Sequence, residues 1–271
     1  LLKAVTQMKP EEIIDTVIQS YRIAEEVYAP VMVCYDGFVL SHTMMPVSVP
    51  EAALVNSFLP PYKPHTFLSA ENPRNINPVI FPHMRKNSAG VLCDGYMEMR
   101  YKLQKSLEKA KDTIIAVGMQ YTKLTGRDYS ELLWHYKTED ADIILTGMGS
   151  IATEATVAVD QLRLQGIKAG VVGVRVFRPF PRIALQKALQ GARAIFVLEK
   201  AISYGYEGAL CSDIKAALYG TGISAPMHNY IAGLGGRDVE AREIAAAVET
   251  SLGEINNKKT HNKTVWINCR Q

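Results

Sequence analysis

The chain has 271 residues, of which 48% are hydrophobic and 21% are charged, and its formal net charge is +3 at pH 7. This composition is typical of a globular protein and excludes collagen-like, coiled-coil and disordered classes. No apolar run approaches the roughly 20 residues of a membrane span, and the charge gives no reason to expect nucleic acid as a partner. The four cysteines lack C-x-x-C spacing, so we expect a cytoplasmic protein with reduced thiols and no metal site of its own.

The first element in chain order is a helix that starts near Pro10 and presents an apolar face up to Ala24. Pro30 ends this element, and residues 31–35 form a short apolar strand. Because its apolar run is uninterrupted, we expect the strand to be covered on both faces. Ligands of open α/β sheets bind beyond the carboxyl ends of strands. We therefore predict that a group of polar and small residues after this strand shapes a pocket, namely Asp36, Gly37, Ser41 and His42.

Eight of the thirteen prolines lie between Pro46 and Pro82. Because proline fixes φ and lacks a backbone donor, this stretch is expected to be an extended connector on a surface. The apolar spacing then predicts a long amphipathic helix over residues 97–123, stopped by Gly126.

From residue 140 onward, strands and helices alternate. The predicted strands cover residues 142–146, 169–177, 194–198 and 227–232, and the predicted helices 152–165, 181–190, 207–219 and 239–252. This alternation indicates βαβ crossovers and a parallel sheet. A polar tail follows Gly253 and ends in the apolar Val265-Trp266-Ile267. We expect this tail either to dock on another surface or to be foreign to the protein.

Three glycine-containing turns precede predicted helices. Gly147-Met148-Gly149-Ser150 fits a tight turn with Ser150 as N-cap; nucleotide binding is the alternative, although the full G-x-G-x-x-G spacing is absent. The second turn is Gly205-Tyr206-Glu207-Gly208. It fits ordinary strand-to-helix turn chemistry, and its Glu207 would favour the positive end of the following helix. The third turn contains Gly235, Gly236, Arg237 and Asp238. Its arginine could pair with a carboxylate or phosphate, so this turn is either a purely structural turn or a subunit or ligand contact.

Several segments form an ordered series along the chain. They are Asp36-Gly37-Phe38 with Ser41-His42, Phe58-Leu59-Pro60-Pro61-Tyr62, Glu139-Asp140-Ala141-Asp142, Gly147-Met148-Gly149-Ser150, Arg178-Pro179-Phe180-Pro181, Val197-Leu198-Glu199-Lys200 and Gly233-Leu234-Gly235-Gly236-Arg237-Asp238. In this order they resemble the alpha subunit of 2-oxoacid:ferredoxin oxidoreductases, and the pyruvate branch most of all. The resemblance extends over residues 11–252.

The resemblance implies an α/β fold, in which the end of a pyrimidine-side thiamine diphosphate domain (residues 1–45) precedes a proline-rich connector and long helix (46–138). A transketolase C-terminal-like parallel-sheet domain (139–253) and a polar tail (254–271) follow. The implied reaction is oxidative decarboxylation of a 2-oxoacid to acyl-coenzyme A, with electrons passed to ferredoxin. Thiamine diphosphate and Mg²⁺ would bind at an interface with a partner subunit, and iron–sulfur clusters would lie on partner subunits of the beta, gamma and delta types.

The sequence departs from the family pattern at its beginning. The family's Tyr-Pro-x-x-Pro substrate loop, its arginine for the substrate carboxylate and its glutamate for the thiamine ring are not recognisable here, so no catalytic residue is assigned. We expect the chain to begin partway through a longer polypeptide and to be inactive alone. Two alternatives remain, a non-catalytic α/β assembly module and a nucleotide-dependent oxidoreductase that uses the Gly147 turn.

Overall fold

A computed structural model describes residues 2–5, 10–62, 82–86, 90, 92–257 and 262–270. Its helices are α1 (Pro10–Val27), α2 (Val39–His42), α3 (Ala52–Phe58), α4 (Tyr96–Thr125), α5 (Ser150–Leu164), α6 (Arg182–Ala188), α7 (Ala209–Leu218) and α8 (Ala241–Asn256). Its strands are β1 (Leu2–Val5), β2 (Val31–Cys34), β3 (Arg85–Lys86), β4 (Leu92–Cys93), β5 (Leu133–Tyr136), β6 (Ile143–Gly147), β7 (Ala169–Val174), β8 (Val176–Arg178), β9 (Ala194–Glu199), β10 (Met227–Ile231) and β11 (Asn262–Trp266).

The chain divides into two compact units. The helical unit comprises Leu1–Leu2, Ile18–Val31 and Pro50–Ser130, and the sheet unit comprises Lys3–Val17, Met32–Val49 and Glu131–Gln271. No helix among the described residues is both long and apolar enough to cross a membrane.

The core of the helical unit lies on one face of α4. Tyr121 of this helix is fully buried between the rings of Phe58 and Tyr129, with ring centroids 4.9 and 5.8 Å away. Gly118 allows the Tyr129 carbonyl to approach, since a Cβ there would overlap the carbonyl oxygen. Helix α4 ends where Gly126 adopts φ 73°, which confirms the predicted stop because glycine enters the left-handed region at little cost.

The sheet unit is built around six strands in the order β11-β10-β9-β6-β7-β5. Neighbouring strands are parallel except β5, which runs antiparallel to β7. Strands β6, β7, β9 and β10 are buried throughout because helices cover both faces. Helices α5 and α8 pack on one face and α6 and α7 on the other. The predicted α/β fold with a mostly parallel sheet is confirmed.

Five local expectations differ from the structure. The single strand expected over residues 169–177 is two strands, β7 and β8, and β8 pairs with β1 in a separate sheet. Strand β2 is only half-buried, with Met32 44% exposed, so the prediction of cover on both faces is wrong. The connector was predicted to be extended, but its proline-free stretch from 52 to 58 is helical, and Phe58 anchors it in the core. Residues 63–81 of the connector lie outside the described residues.

The other two differences lie at the edges of the main sheet. The sequence pattern predicted neither edge strand, and each has only a few residues. Strand β5 pairs with β7, and β11, in the expected polar tail, pairs in parallel with β10 from Asn262 to Trp266. The tail therefore completes the chain's own sheet rather than docking elsewhere. The division of the chain at residues 45, 138 and 253 stays a prediction.

Candidate functional site

The best candidate region is the carboxyl edge of the main sheet, defined here by the ends of β6, β9 and β10. Strand β6 lies between β7 and β9, so the chain proceeds to one side of β6 and then returns to the other. The point between β6 and β9 is thus the topological switch point, where open α/β sheets bind ligands. A cavity of about 140 Å³ lies there, lined by Cys34, Tyr35, Asp36, Met148, Leu198, Glu199, Lys200 and Ala201.

The turn after β6 holds a carboxylate of the chain itself. The backbone N–H of Ser150, at the start of α5, donates to Asp36 Oδ2 over 2.6 Å, although the two residues are 114 positions apart. Gly149 is the N-cap, with φ 69°, and a Cβ there would lie 2.7 Å from Asp36 Oδ1. The prediction of Ser150 as N-cap is therefore wrong by one residue. Asp36 fills the position that a nucleotide phosphate would need at this helix start.

Lys200 neutralises this carboxylate. Its Nζ lies 3.6 Å from Asp36 Oδ2 and donates to Ser150 Oγ over 2.7 Å. The stem of Lys200 passes Gly233, where a Cβ would come within 3.0 Å of the lysine Cε. One ion pair therefore ties together the segments that follow β2, β6, β9 and β10.

Helix α7 is capped by a second carboxylate, which is buried. Glu199 accepts N–H bonds from Leu210 (2.7 Å) and Cys211 (3.1 Å) and a side-chain bond from Asn229 (2.9 Å). Gly208 is required here, because a Cβ would overlap Glu199 Oε2. Burial raises the pKa of Glu199, and the bonds it accepts oppose that shift only in part.

The helix N–H groups bind Glu199 rather than the nearby Glu207, whose effect on the positive end of α7 stays a prediction. Glu207 lies just before α7 and instead pairs with Lys215 and accepts a bond from Ser212. Cys211 lies beside it, fully buried, and burial raises the pKa of its thiol to about 12. This cysteine is therefore a packing residue rather than a nucleophile.

The β2–α2 turn carries the residues predicted to shape a pocket. Asp36 lines the switch-point cavity, whereas Gly37, Ser41 and His42 are exposed and do not line it. Ser41 Oγ accepts the N–H of Phe38 and lies 2.7 Å from His42 Nδ1. The pocket-shaping role of these residues stays a prediction, and of the four only Asp36 lines the switch-point cavity.

The β2–α2 turn also contacts the third glycine turn. Phe38 adopts φ 69°, a region that non-glycine residues rarely occupy, and its ring stacks on His42 with centroids 5.3 Å apart. The same ring lies against Gly236, where a Cβ would meet it. Two of the segments that the sequence singled out are therefore neighbours, which no local pattern could reveal.

The third glycine turn forms a 3-10 turn at Leu234–Gly236, followed by α8. Glu154 of α5 accepts the N–H of Ala241, the first residue of α8, over 2.9 Å. The N-cap of α8 is Glu240, two positions after Asp238. Arg237 donates to the backbone carbonyl of Asn268 over 2.5 Å.

The donor set at the carboxyl edge does not fit the pyrophosphate and Mg²⁺ of thiamine diphosphate. Such a group needs free oxygen ligands for the metal. At the three helix starts, however, the carboxylates of Asp36, Glu199 and Glu154 already accept backbone N–H bonds. Among the described residues, no cluster of three or more His, Cys, Asp or Glu is placed to hold a metal ion.

Comparison with known proteins gives two family models in consecutive order. The model described as "Pyruvate flavodoxin/ferredoxin oxidoreductase, thiamine diP-bdg" matches residues 3–117, and "Pyruvate:ferredoxin oxidoreductase core domain II" matches residues 141–244. The second match covers strands β6 to β10 and the helices between them.

Curated relatives agree with the family models. The chain is 37% identical to ketoisovalerate oxidoreductase subunit VorA of Pyrococcus horikoshii over 262 residues, which is 96% of this chain and 64% of that protein. It is 38% identical to pyruvate synthase subunit PorA of Methanosarcina barkeri over 242 residues, which is 88% of this chain and 58% of that protein. The chain thus spans less than two thirds of the length of these relatives.

Among solved structures, the fold is similar to a 2-oxoglutarate:ferredoxin oxidoreductase from Magnetococcus marinus with 2-oxoglutarate, coenzyme A and succinyl-CoA bound. The TM-score is 0.57 at 16% identity, over 93% of this chain and 42% of that one. This likeness concerns the fold alone. The two family models and the curated relatives lead to one conclusion: the chain belongs to the 2-oxoacid:ferredoxin oxidoreductase family.

Proposed function

We propose that this chain is part of the alpha subunit of a thiamine diphosphate-dependent 2-oxoacid:ferredoxin oxidoreductase. The complete enzyme would decarboxylate a 2-oxoacid oxidatively, transfer the acyl group to coenzyme A and pass the electrons to ferredoxin. The observation that carries the proposal is the consecutive match of two family models, one thiamine diphosphate-binding and one core-domain model, to residues 3–117 and 141–244. Pyruvate is our first choice of substrate, although relatives named for ketoisovalerate match as well.

The described residues support a structural role within that enzyme. The helix starts at the carboxyl edge are closed by internal carboxylates, and Lys200 neutralises the one supplied by Asp36. A sheet edge satisfied in this way holds its loops in place without a bound ligand. We assign to this chain the support of an active centre whose cofactor ligands lie elsewhere in the enzyme.

The same proposal covers cofactors, partners and location. Thiamine diphosphate and Mg²⁺ would bind at an interface with a partner subunit, and iron–sulfur clusters would be held by partner chains, in keeping with the misfit at the carboxyl edge. Coenzyme A, ferredoxin and a small 2-oxoacid would be the reaction partners, and the cytoplasm the location.

The test is to purify the native protein with whatever subunits accompany it. We expect co-purifying iron and thiamine diphosphate, and reduction of ferredoxin that requires both a 2-oxoacid and coenzyme A. Pyruvate and 2-oxoisovalerate, assayed side by side, separate the two named substrate groups of the relatives. A protein that purifies alone, free of iron and inactive after reconstitution with thiamine diphosphate, contradicts the proposal.

The second candidate is a non-catalytic assembly module. It is favoured by the carboxyl edge itself, where carboxylates of the chain occupy the three helix starts that could hold an anion. The sequence of the native polypeptide before Leu1 decides between the candidates. A Tyr-Pro-x-x-Pro loop followed by a glutamate there supports the enzyme, and its absence supports the module.

A further inference from the structure

A second cavity opens at the carboxyl ends of β10 and β11. Its volume is about 190 Å³, and its lining includes Ile231, Ala232, Arg237, Trp266, Ile267 and Cys269. The walls are mainly apolar, and Ile231, Ala232 and Ile267 are at most 9% exposed. The C-terminal strand β11, which continues the sheet beyond β10, supplies the far wall.

Arg237 differs in its pairing from two other cations at this edge, Lys200 and Lys215. Lys200 lies against Asp36, and Lys215 lies against Glu207. Arg237 instead uses one N–H on a neutral carbonyl, that of Asn268, and within the described part of the chain no carboxylate pairs with it. A guanidinium has five N–H donors in a planar fork that matches a carboxylate.

We propose that this cavity binds a small monocarboxylate with a short aliphatic body. The carboxylate would pair with Arg237 at the mouth, and the aliphatic body would lie against Trp266 and Ile231. Small-molecule sites combine apolar walls with a few polar groups that fix orientation, which is the arrangement found here. A phosphate would use the arginine but leave the apolar walls bare. The site is independent of the proposed function, because it rests only on residues of this chain.

Cys269 provides a local readout, because it lines the cavity and is an exposed free thiol. The experiment is alkylation of the native protein by iodoacetamide, followed by peptide mass spectrometry, with isovalerate as the probe. We expect isovalerate to slow the alkylation of Cys269 and to leave that of Cys93, in the helical unit, unchanged. Isovaleramide has the same shape without the charge, and acetate has the charge without the body. Both should protect Cys269 far less.

Two arginine variants complete the test. Protection is compared with and without isovalerate within each variant, so a change in basal reactivity does not matter. In Arg237→Met, half-maximal protection should need about 10- to 100-fold more isovalerate, the loss expected for hydrogen bonds to a charged group. Arg242→Met is the matched control, because Arg242 is exposed and pairs with Glu240. Its protection should equal that of the wild type.

Several results would overturn the proposal. Equal protection by isovaleramide would show that the charge is not recognised, and equal protection by inorganic phosphate would show that the apolar walls are not. Unchanged protection in Arg237→Met, or no protection at any isovalerate concentration, would remove the site altogether. None of these results bears on the ferredoxin reduction assay, so the two proposals fail separately.

Discussion

Helices α5 and α7 start at the same edge of one sheet, and their first-turn N–H groups are paired in two different ways. Each exposes free N–H groups at its first turn, and each binds a carboxylate there. Helix α5 takes Asp36 from 114 residues away and balances it with Lys200. Helix α7 takes Glu199 from 11 residues away and surrounds it with neutral donors. The cap that is remote in sequence, Asp36, joins separate chain segments. The local cap, Glu199, is part of a buried hydrogen-bond network.

The burial of the two acids follows from these surroundings. The Asp36 side chain is 16% exposed and lies beside the switch-point cavity, so water can replace it. Glu199 is 3% exposed, and its loss would leave buried donors without a partner. We therefore expect the local cap to matter more for stability and the remote cap to matter more for tethering.

The largest expected effect is that of Glu199→Ala. The change leaves the N–H groups of Leu210 and Cys211 unpaired in the core, and it removes one of the two bonds that the Asn229 amide donates. At roughly 1–3 kcal/mol per buried unpaired group, and allowing for partial relaxation, we expect a loss of about 4 kcal/mol in the free energy of unfolding. Urea unfolding measures it. A loss below that of the corresponding Asp36 variant would reverse the comparison.

Gly208→Ala tests the same network from the opposite side. The new methyl group would overlap Glu199 Oε2, so the carboxylate or the start of α7 must shift. Overpacking of this kind costs about 1–3 kcal/mol. Gly253→Ala is the matched control, because this glycine lies inside α8 with nothing within 4 Å of the new Cβ. Thermal unfolding should show destabilisation at residue 208 and a slight gain at 253, where alanine favours the helix.

Asp36→Ala should cost less, about 1 kcal/mol, the usual effect of losing a helix cap. Its informative partner is Lys200→Met, which removes the cation 3.6 Å away. A double-mutant cycle on the free energy of unfolding should give a coupling of about 0.5 kcal/mol or more, weakened by salt. Strictly additive single effects would mean that the Asp36–Lys200 pair does not tether the two segments.

The same contrast explains what the sequence could predict. The alternating elements from Ile143 to Asn256 follow from local periodicity, so their order and type were predicted within a few residues, except that the strand expected over 169–177 is two strands, β7 and β8. The sequence singled out Glu207 as the acid near the start of α7. Glu199 was not considered, because it ends an apolar strand and looks like a strand residue. A charged residue at the end of a buried strand was the available signal.

Contacts remote in sequence left no such signal. The bond between Asp36 and Ser150 joins positions 114 apart, and the contact of Phe38 with Gly236 joins positions 198 apart. Strands β5 and β11 are short edge strands, and their four and five residues carry too little periodicity to be recognised. The site at the carboxyl edge therefore needed the fold before its residues could be grouped.

The smallest effect concerns pH and distinguishes a buried acid from an ordinary cap. Burial raises the pKa of Glu199 above the value of 4.5 that is normal for glutamate. The folded chain therefore holds this proton more tightly than the unfolded chain. Its contribution to stability is complete below pH 4.5 and is lost as the pH rises through the folded-state pKa.

The Glu199→Gln variant cannot titrate at this position, so it lacks that pH-dependent term. The free energy of unfolding of the wild type, minus that of Glu199→Gln, should fall as the pH rises from about 4 to about 7. Glu51→Gln, at the exposed start of α3 where the side chain makes no cap bond, corrects for the general loss of one acid. A difference that stays level or rises with pH would mean that the hydrogen bonds from Leu210, Cys211 and Asn229 outweigh the burial of the charge. The charged form of Glu199 would then be as well stabilised as that of an exposed cap. Asp36 and Glu199 would differ only in how far along the chain they lie from the helix that they cap.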